Sequence, residues 1–367
     1  MFKTVGGLLK NIFNSICYEE FASVLQYIPN NTQKIKTMHI IENKFIQDII
    51  DISKKYNNKL IVSLSGGVDS MVLLTILHFY KFDIIAVHVN YNNRKESVQE
   101  QQFLQKWCDY NKITFYVKSI HDIKRNNTNR TDYERITKQM KFDFYKEVMG
   151  KENASCVLLA HHKDDIVENI FANICRGRNI LDLSVIKKVN IINDIFVCRP
   201  MINYFKADIY KFAELYQVPY FKDSTPTWSV RGKFRNVIYP SIEDTFTKNI
   251  KENLVFLDKQ ASGWNEIIEK EIISKFMKQV HTDNLHISFN VEMYINYPFC
   301  FWNLIFMKLF NQYGKRNASR KSIQSFMTTI NNLTSNKEYN IVLTNESKCY
   351  VKNNMKIREA GQIAPLA

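Results

Sequence analysis

The chain has 367 residues, of which 45% are hydrophobic, 13% aromatic and 23% charged, with a formal net charge of +14. That composition excludes a disordered or collagen-like chain and leaves room for two or three domains with at least one sizeable core. The positive excess is spread along the chain and fits either a polyanionic partner such as nucleic acid or a lysine-rich surface.

The seven cysteines are odd in number and none stands in a Cys-x-x-Cys pair. That argues against a zinc site, an iron–sulfur site or a disulfide framework, and for a reducing compartment. No apolar run reaches the roughly 20 residues that span a membrane.

Residues 1–58 begin "MFKTVGGLLKNIFNSICYEEF" and read as a helical extension. An organellar transit segment is the alternative, diluted by Glu19 and Glu20. From Lys59 to about Pro240 strands and helices alternate. Strands are expected at 59–65, 82–90, 113–120 and 154–161, and helices at 69–80, 96–111, 132–149, 163–175 and 206–216. Continuous apolar strands alternating with helices indicate an α/β fold, a doubly wound parallel sheet covered on both faces. Ligands of such sheets sit beyond the carboxyl ends of the strands.

After a boundary at 240–243 the pattern turns mostly helical, with amphipathic stretches at 243–280 and 298–313. A helix at 319–332 and short strands at 339–343, 348–351 and 355–358 follow. The expected division is an extension (1–58), an α/β domain (59–241), a helical linker domain (242–297) and a small C-terminal α+β module (298–367).

Two motifs carry chemistry. The first is "SGGVDS", Ser65-Gly66-Gly67-Val68-Asp69-Ser70, between the first strand and its helix. Gly66 and Gly67 let backbone N–H groups close on a phosphate, and the helix N-terminus points its partial positive charge at the same anion. Ser65 and Ser70 add hydroxyls. Asp69 beside a phosphate makes sense as a Mg²⁺ ligand or a helix cap. The spacing is not that of a Walker loop.

The second is "AHHKDDIVEN", in which a strand delivers His161 and His162 and a helix then carries Asp164, Asp165 and Glu168 close together. Carboxylates of this kind bind a cation or orient an amine, and a histidine moves protons or donates to developing charge. Arg176 and Gly177 close the segment. The spacing is not the His-Glu-x-x-His of a zinc protease.

The loop resembles the PP-loop of the N-type ATP pyrophosphatases, which split ATP between its α and β phosphates. With the second motif, the chain resembles the tRNA(Ile)-lysidine synthetases over most of residues 59–359. "AVHVNYNNRKES" (86–97), "ERITKQMKF" (134–142) and "RPMI" (199–202) are similar to that family's segments, with Lys138 and Lys141 where arginines are usual and Asn169 in place of threonine. "DSTPTWSVRGKFRNVIYP" keeps Asp223, Arg231, Arg235 and Pro240 but has Gly232 where the family has asparagine. The C-terminal "NASRKSIQSFMTTINNL" resembles the tRNA-binding module more weakly.

The resemblance implies adenylation of the wobble cytidine of a CAU-anticodon tRNA(Ile) and attack by the ε-amine of free L-lysine. It implies ATP and Mg²⁺, with Ser65–Ser70 on the pyrophosphate and Asp69 on the metal. Asp165 and Glu168 would hold the lysine, His161 would assist adenylation, and Lys141 or Lys138 would steady the α-phosphate. Arg176, Arg231 and Arg235 would contact tRNA, with Trp228 and Phe234 as candidate base-stacking groups. A homodimer and a cytoplasmic location are compatible with this, or an organelle in a eukaryotic source; no membrane is implied. The rival readings are a PP-loop tRNA 2-thiolation enzyme, a small-molecule ligase of the same superfamily, and a tRNA-binding homologue that has lost catalysis.

Overall fold

The computed structural model describes residues 40–56, 59–92, 96–120, 129–183, 185–216, 218–221, 229–282, 287–312, 314, 317–332, 338–345, 347–352 and 359–365. The chain forms two compact units. The first comprises Met1–Arg176 and Ser184–Phe256, and the second Gly177–Leu183 and Leu257–Ala367.

In the first unit, the apolar runs fold as strands β1 (Leu60–Ser63), β2 (Ile84–Asn90), β3 (Thr114–Ser119) and β4 (Cys156–Leu158). They join β5 (Val189–Ile192) and β6 (Ile195–Cys198) in a six-stranded sheet of order β3-β2-β1-β4-β6-β5. All neighbours pair parallel except β5 with β6. The chain moves outward from β1 through β2 to β3, then returns to lay β4 on the other side of β1. That reversal between β1 and β4 opens a crevice beyond the carboxyl ends of the two strands.

Helices α1 (Ile40–Lys54), α2 (Val68–Phe79), α3 (Ser97–Tyr110), α4 (Arg130–Glu152), α5 (Lys163–Cys175) and α6 (Lys206–Tyr216) alternate with the strands. Successive β1 residues face opposite sides. Leu60 and Val62 therefore join the core built with α1, α2, α3 and α6, while Ile61 joins Phe142, Tyr145 and Val148 of α4. Within the first of these layers α2 buries Met71 through Leu77 without a break, the mark of a central helix and not an amphipathic surface one. Truncating Leu73 or Leu74 to Ala there costs about 2–5 kcal/mol.

The β5–β6 hairpin has no counterpart in the sequence expectation. Its turn, Asn193-Asp194, has both residues at positive φ (49° and 62°), as a two-residue primed turn requires. The strands are only four residues each, β5 has no buried residue, and the apolar run Ile195–Cys198 of β6 is too short to announce a strand by itself. After α6, α7 spans residues 230–245 as a helix with a π turn at Phe234–Ile238, and α8 (Ile250–Ile268) follows.

In the second unit, α9 (Phe299–Gln312) and α10 (Arg320–Asn331) cover an antiparallel sheet of order β7-β8-β11-β10-β9. Its strands are β7 (His281–Thr282), β8 (Ile287–Asn290), β9 (Glu338–Thr344), β10 (Ser347–Lys352) and β11 (Glu359–Pro365). Trp302, Phe306 and Phe326 centre its core, with Trp302 and Phe326 edge-on at 4.9 Å. β7 and β8 lie where the sequence announced no element. The strand expected at 355–358 falls outside the described residues.

Candidate functional site

The glycine loop stands at the carboxyl end of β1 and is held by its own serines. Ser70 Oγ donates to Gly67 O at 3.0 Å, which leaves it to accept from Ser65 N and from the Ser65 hydroxyl, each at 3.1 Å. Gly66 sits at φ +83° with its carbonyl bound by Phe221 N at 3.0 Å. Gly67 opens α2, so the first amides of that helix are unpaired within it and turned to the crevice side of the sheet. His88 on β2 donates from Nδ1 to Leu64 O at 2.8 Å and pins the strand end that delivers the loop.

The loop forms one wall of a cavity of about 410 Å³. Ser65, Gly67, Val68, Asp69 and Ser70 line it, joined by Lys141, His161, His162, Asp165, Lys206, Arg231 and Arg235. No cysteine is among the described lining residues. Cys156 and Cys198 lie buried in the sheet, where burial pushes their thiols up to about 12 and about 11.

Asp69 faces His162 Nε2 at 3.6 Å and Lys206 Nζ at 3.4 Å. Its Oδ1 is buried without a hydrogen-bond partner. An orphaned carboxylate oxygen next to a phosphate cradle fits a Mg²⁺ ion, which typically takes one or two carboxylates together with substrate phosphates and water. No group of three or more His, Cys, Asp or Glu side chains among the described residues forms a self-sufficient metal cage.

The second wall is the segment from β4 into α5. The His162 ring is 2% exposed and lies 3.5–3.6 Å from Asp69, Asp164 and Asp165. Asp165 closes the first turn by accepting from His162 N at 3.1 Å. Burial pushes Asp165 toward its neutral form, but His162, His161 and Arg231 outweigh that and hold the carboxyl below its ordinary range.

Asp164, which the motif places beside Asp165, has another task. It accepts from the Lys206 amide at 2.8 Å, where α6 begins, and from Lys251 Nζ at 2.5 Å, on α8. Burial opposes its charge, yet contacts with His162, Lys251 and the Lys206 amide prevail and hold it well below the usual carboxylate range.

Glu168 is clasped by two arginines from α7: Arg231 Nε reaches Oε2 at 2.8 Å and Arg235 Nε bonds Oε1. The same guanidiniums approach Asp165 at 3.6 and 3.7 Å. α5 and α7 thus present a paired-carboxylate, paired-guanidinium cluster at the cavity mouth. Lys141 projects from α4 over the Tyr145 ring at 5.5 Å. Burial disfavours its charge, but Tyr145 and Tyr91 overcome this and raise its pKa.

The structure therefore gathers the expected Ser65–Ser70 loop, Asp69, Lys141, His161, Asp165, Glu168, Arg231 and Arg235 in one region. It does not bring Arg176 there. Arg176 is the exposed cap at the far end of α5, some 20 Å along the helix from His162. Between the two lysines on α4, Lys141 lines the cavity while Lys138 is exposed over the Phe142 ring. Phe234 is buried against Phe171 at 5.1 Å and is not open to a base. Asp223 and Trp228 lie outside the described residues. Asn169, a departure from the family pattern, accepts from Val185 N at 3.1 Å and secures the chain after α5. Gly232 donates its amide to Ser229 Oγ at 3.0 Å, as the third residue of a capped helix does.

Two residues escaped sequence reasoning. Lys206 reaches Asp69 across 137 positions, and Arg199 reaches His161 across 38. The "RPMI" resemblance marked Arg199 without a role; Lys206 had no signal at all.

A PP-loop domain family matches residues 34–242. The chain is 32% identical over 213 residues to the tRNA(Ile)-lysidine synthase of Enterococcus faecalis, a match covering 56% of this chain and 44% of that protein. It is 26% identical over 245 residues to the tRNA(Ile)-lysidine synthase of Chlamydia muridarum, covering 66% of this chain and 75% of that one. Among solved structures it is similar to the U34-tRNA thiolase NcsA from Methanococcus maripaludis, with 17% identity and a TM-score of 0.47 over 63% of this chain and 80% of the other. The chain thus spans less than half the length of the Enterococcus relative.

Proposed function

This chain belongs to the PP-loop domain family, and from that membership we propose that it is a tRNA(Ile)-lysidine synthetase. Its substrates are ATP, a tRNA(Ile) with a CAU anticodon and free L-lysine. The single observation that carries the reading is the placement of a phosphate-cradling loop and Asp165 around one cavity without a described lining cysteine, with Glu168 held beside it by Arg231 and Arg235. The curated relatives bearing that name support it.

In the first step the C2 oxygen of the wobble cytidine bonds to the α-phosphorus, and the bond from that phosphorus to the bridging oxygen breaks. Pyrophosphate leaves against the amides of Gly67 through Ser70 and the start of α2, where preorganised donors stabilise developing charge. Asp69 would hold Mg²⁺, which would supply charge neutralisation on the phosphates. Lys141 and Lys206 add two ammonium groups to the same wall.

In the second step Asp165 and Glu168 orient the lysine ammonium, which gives up a proton to solvent before it attacks. The amine nitrogen bonds to C2, the C2–oxygen bond breaks, and the oxygen leaves with AMP. Arg231 and Arg235 then serve tRNA phosphates as well as these carboxylates.

The test is incubation with ATP, labelled lysine and a CAU-anticodon tRNA(Ile) transcript. Equimolar AMP, pyrophosphate and a labelled nucleoside are expected. Entry of sulfur from a thiol donor, or tRNA binding with no pyrophosphate release, would replace this reading with one of its rivals.

A further inference from the structure

Arg199 directly follows β6 and is 4% exposed. Its Nη1 donates to Lys187 O at 2.7 Å and to Asn190 Oδ1 at 2.6 Å, which fixes the guanidinium plane. Its Nε donates to His161 Nδ1 at 2.9 Å. A guanidinium has five N–H donors, no acceptor, and does not lose its proton in a protein. Nδ1 of His161 must therefore offer a lone pair, and a neutral ring then carries its proton on Nε2.

The ring is neutral for an independent reason. Burial lowers the His161 pKa to about 4, and Arg199, Lys141 and Arg231 press in the same direction against Asp165. His161 lines the cavity, and no hydrogen-bond partner for Nε2 occurs among the described residues.

We infer that Arg199 is a positioning residue that locks His161 as a neutral Nε2–H donor toward the phosphate side of the cavity. His161 then serves catalysis by giving a hydrogen bond to a phosphoryl oxygen, in the ground state and more strongly as charge develops, and not by taking a proton. The catalytic part rests on the lysidine reading above; the tautomer does not.

The experiment is long-range ¹⁵N–¹H correlation on protein labelled at histidine, with the His161 signals assigned by loss in His161→Gln. Between pH 6 and 8 the wild type is expected to show a protonated Nε2 and a bare Nδ1, without ATP or tRNA. A ring protonated at Nδ1, or one averaging between tautomers, overturns the proposal.

Arg199→Met is expected to release the lock, giving mixed tautomers and a kcat lower by on the order of 100-fold with KM for ATP little changed. Arg199→Gln, whose amide can still donate to Nδ1, is expected to recover most of the tautomer and part of kcat. A folded Arg199→Met with wild-type kcat sinks the positioning role. If Arg199→Met does not fold, the wild-type spectrum and Arg199→Gln still decide. A wrong reaction leaves the tautomer as described, and a wrong tautomer leaves lysidine formation intact, so the two failures are told apart.

Discussion

Gly66→Ala isolates what the loop conformation requires. At φ +83° a side chain costs about 1–2 kcal/mol, because Cβ crowds the backbone. The added methyl group would also stand 2.4 Å from Cδ2 and Cε2 of Phe221. That ring cannot swing freely. It is 5% exposed, edge-on to Phe103 at 5.4 Å, and its own amide holds Gly66 O. Forcing it aside adds about 1–3 kcal/mol of overpacking, and the stiffer unfolded chain returns about 0.4–1 kcal/mol. The net loss is about 2–4 kcal/mol, or a midpoint lower by about 5–15 °C for a unit of this size. Gly67→Ala is the matched control: its Cβ meets only Ser65 Oγ, at 3.6 Å, and its φ of −70° is ordinary. It should lose at most about 1 kcal/mol, the range of helix-cap changes. Thermal unfolding followed by near-ultraviolet circular dichroism, with ATP affinity measured on the folded fraction, compares the pair. If Gly66→Ala melts with the wild type, or Gly67→Ala proves the more damaging, the account of the loop is wrong.

Asp69→Ala should abolish pyrophosphate release while unfolding stays close to wild type, since its Oδ1 has no hydrogen bond to lose and its Oδ2 only the long one from Lys206 Nζ at 3.4 Å; near-normal turnover would refute the metal role. Glu168→Gln keeps the shape but weakens the hold on an ammonium, so the KM for lysine should rise at least about tenfold, the order of one charge-assisted contact, with the KM for ATP unchanged. A variant with a normal lysine KM would move the amine site elsewhere. Asp164 titrates lower in the fold than in the unfolded chain, so the stability it confers is full above its unfolded pKa of about 3.9 and fades as pH falls through the folded value. Asp164→Asn should therefore lower stability at pH 7 and flatten the acid limb below about pH 4; parallel curves for mutant and wild type would contradict the assignment.

The parts of the site that could be read in the sequence were those carried by a strand and its following helix. "KLIVSLSGGVDS" and "CVLLAHHKDD" each put an apolar run, a turn and charged residues within a dozen positions, and the sheet then brings the two turns together through the β1–β4 register, Leu60 opposite Cys156. Contacts made by long side chains across the fold left no such trace. Arg235 meets Glu168 over 67 positions, and Lys206 meets Asp69 over 137. Of the adjacent Asp164 and Asp165, the resemblance gave a role to Asp165, and Asp165 lines the cavity while one helical step turns Asp164 toward the start of α6. Short elements were the other gap. β5 and β6 rest on a primed turn and on partners far along the chain, which outweigh their weak local pattern.

His161 and His162 are the same side chain at consecutive positions, and the extended backbone between β4 and α5 sends them into opposite electrical surroundings. One ring has Arg199, Lys141 and Arg231 about it, with Asp165 opposing them; the other has Asp69, Asp164 and Asp165. The cavity floor is thus polarised across a single peptide unit, cation-rich on one side and anion-rich on the other. The two imidazoles are therefore not interchangeable: His161→Ala would remove a ring bonded to a buried guanidinium, and His162→Ala a ring that stands between three carboxylates.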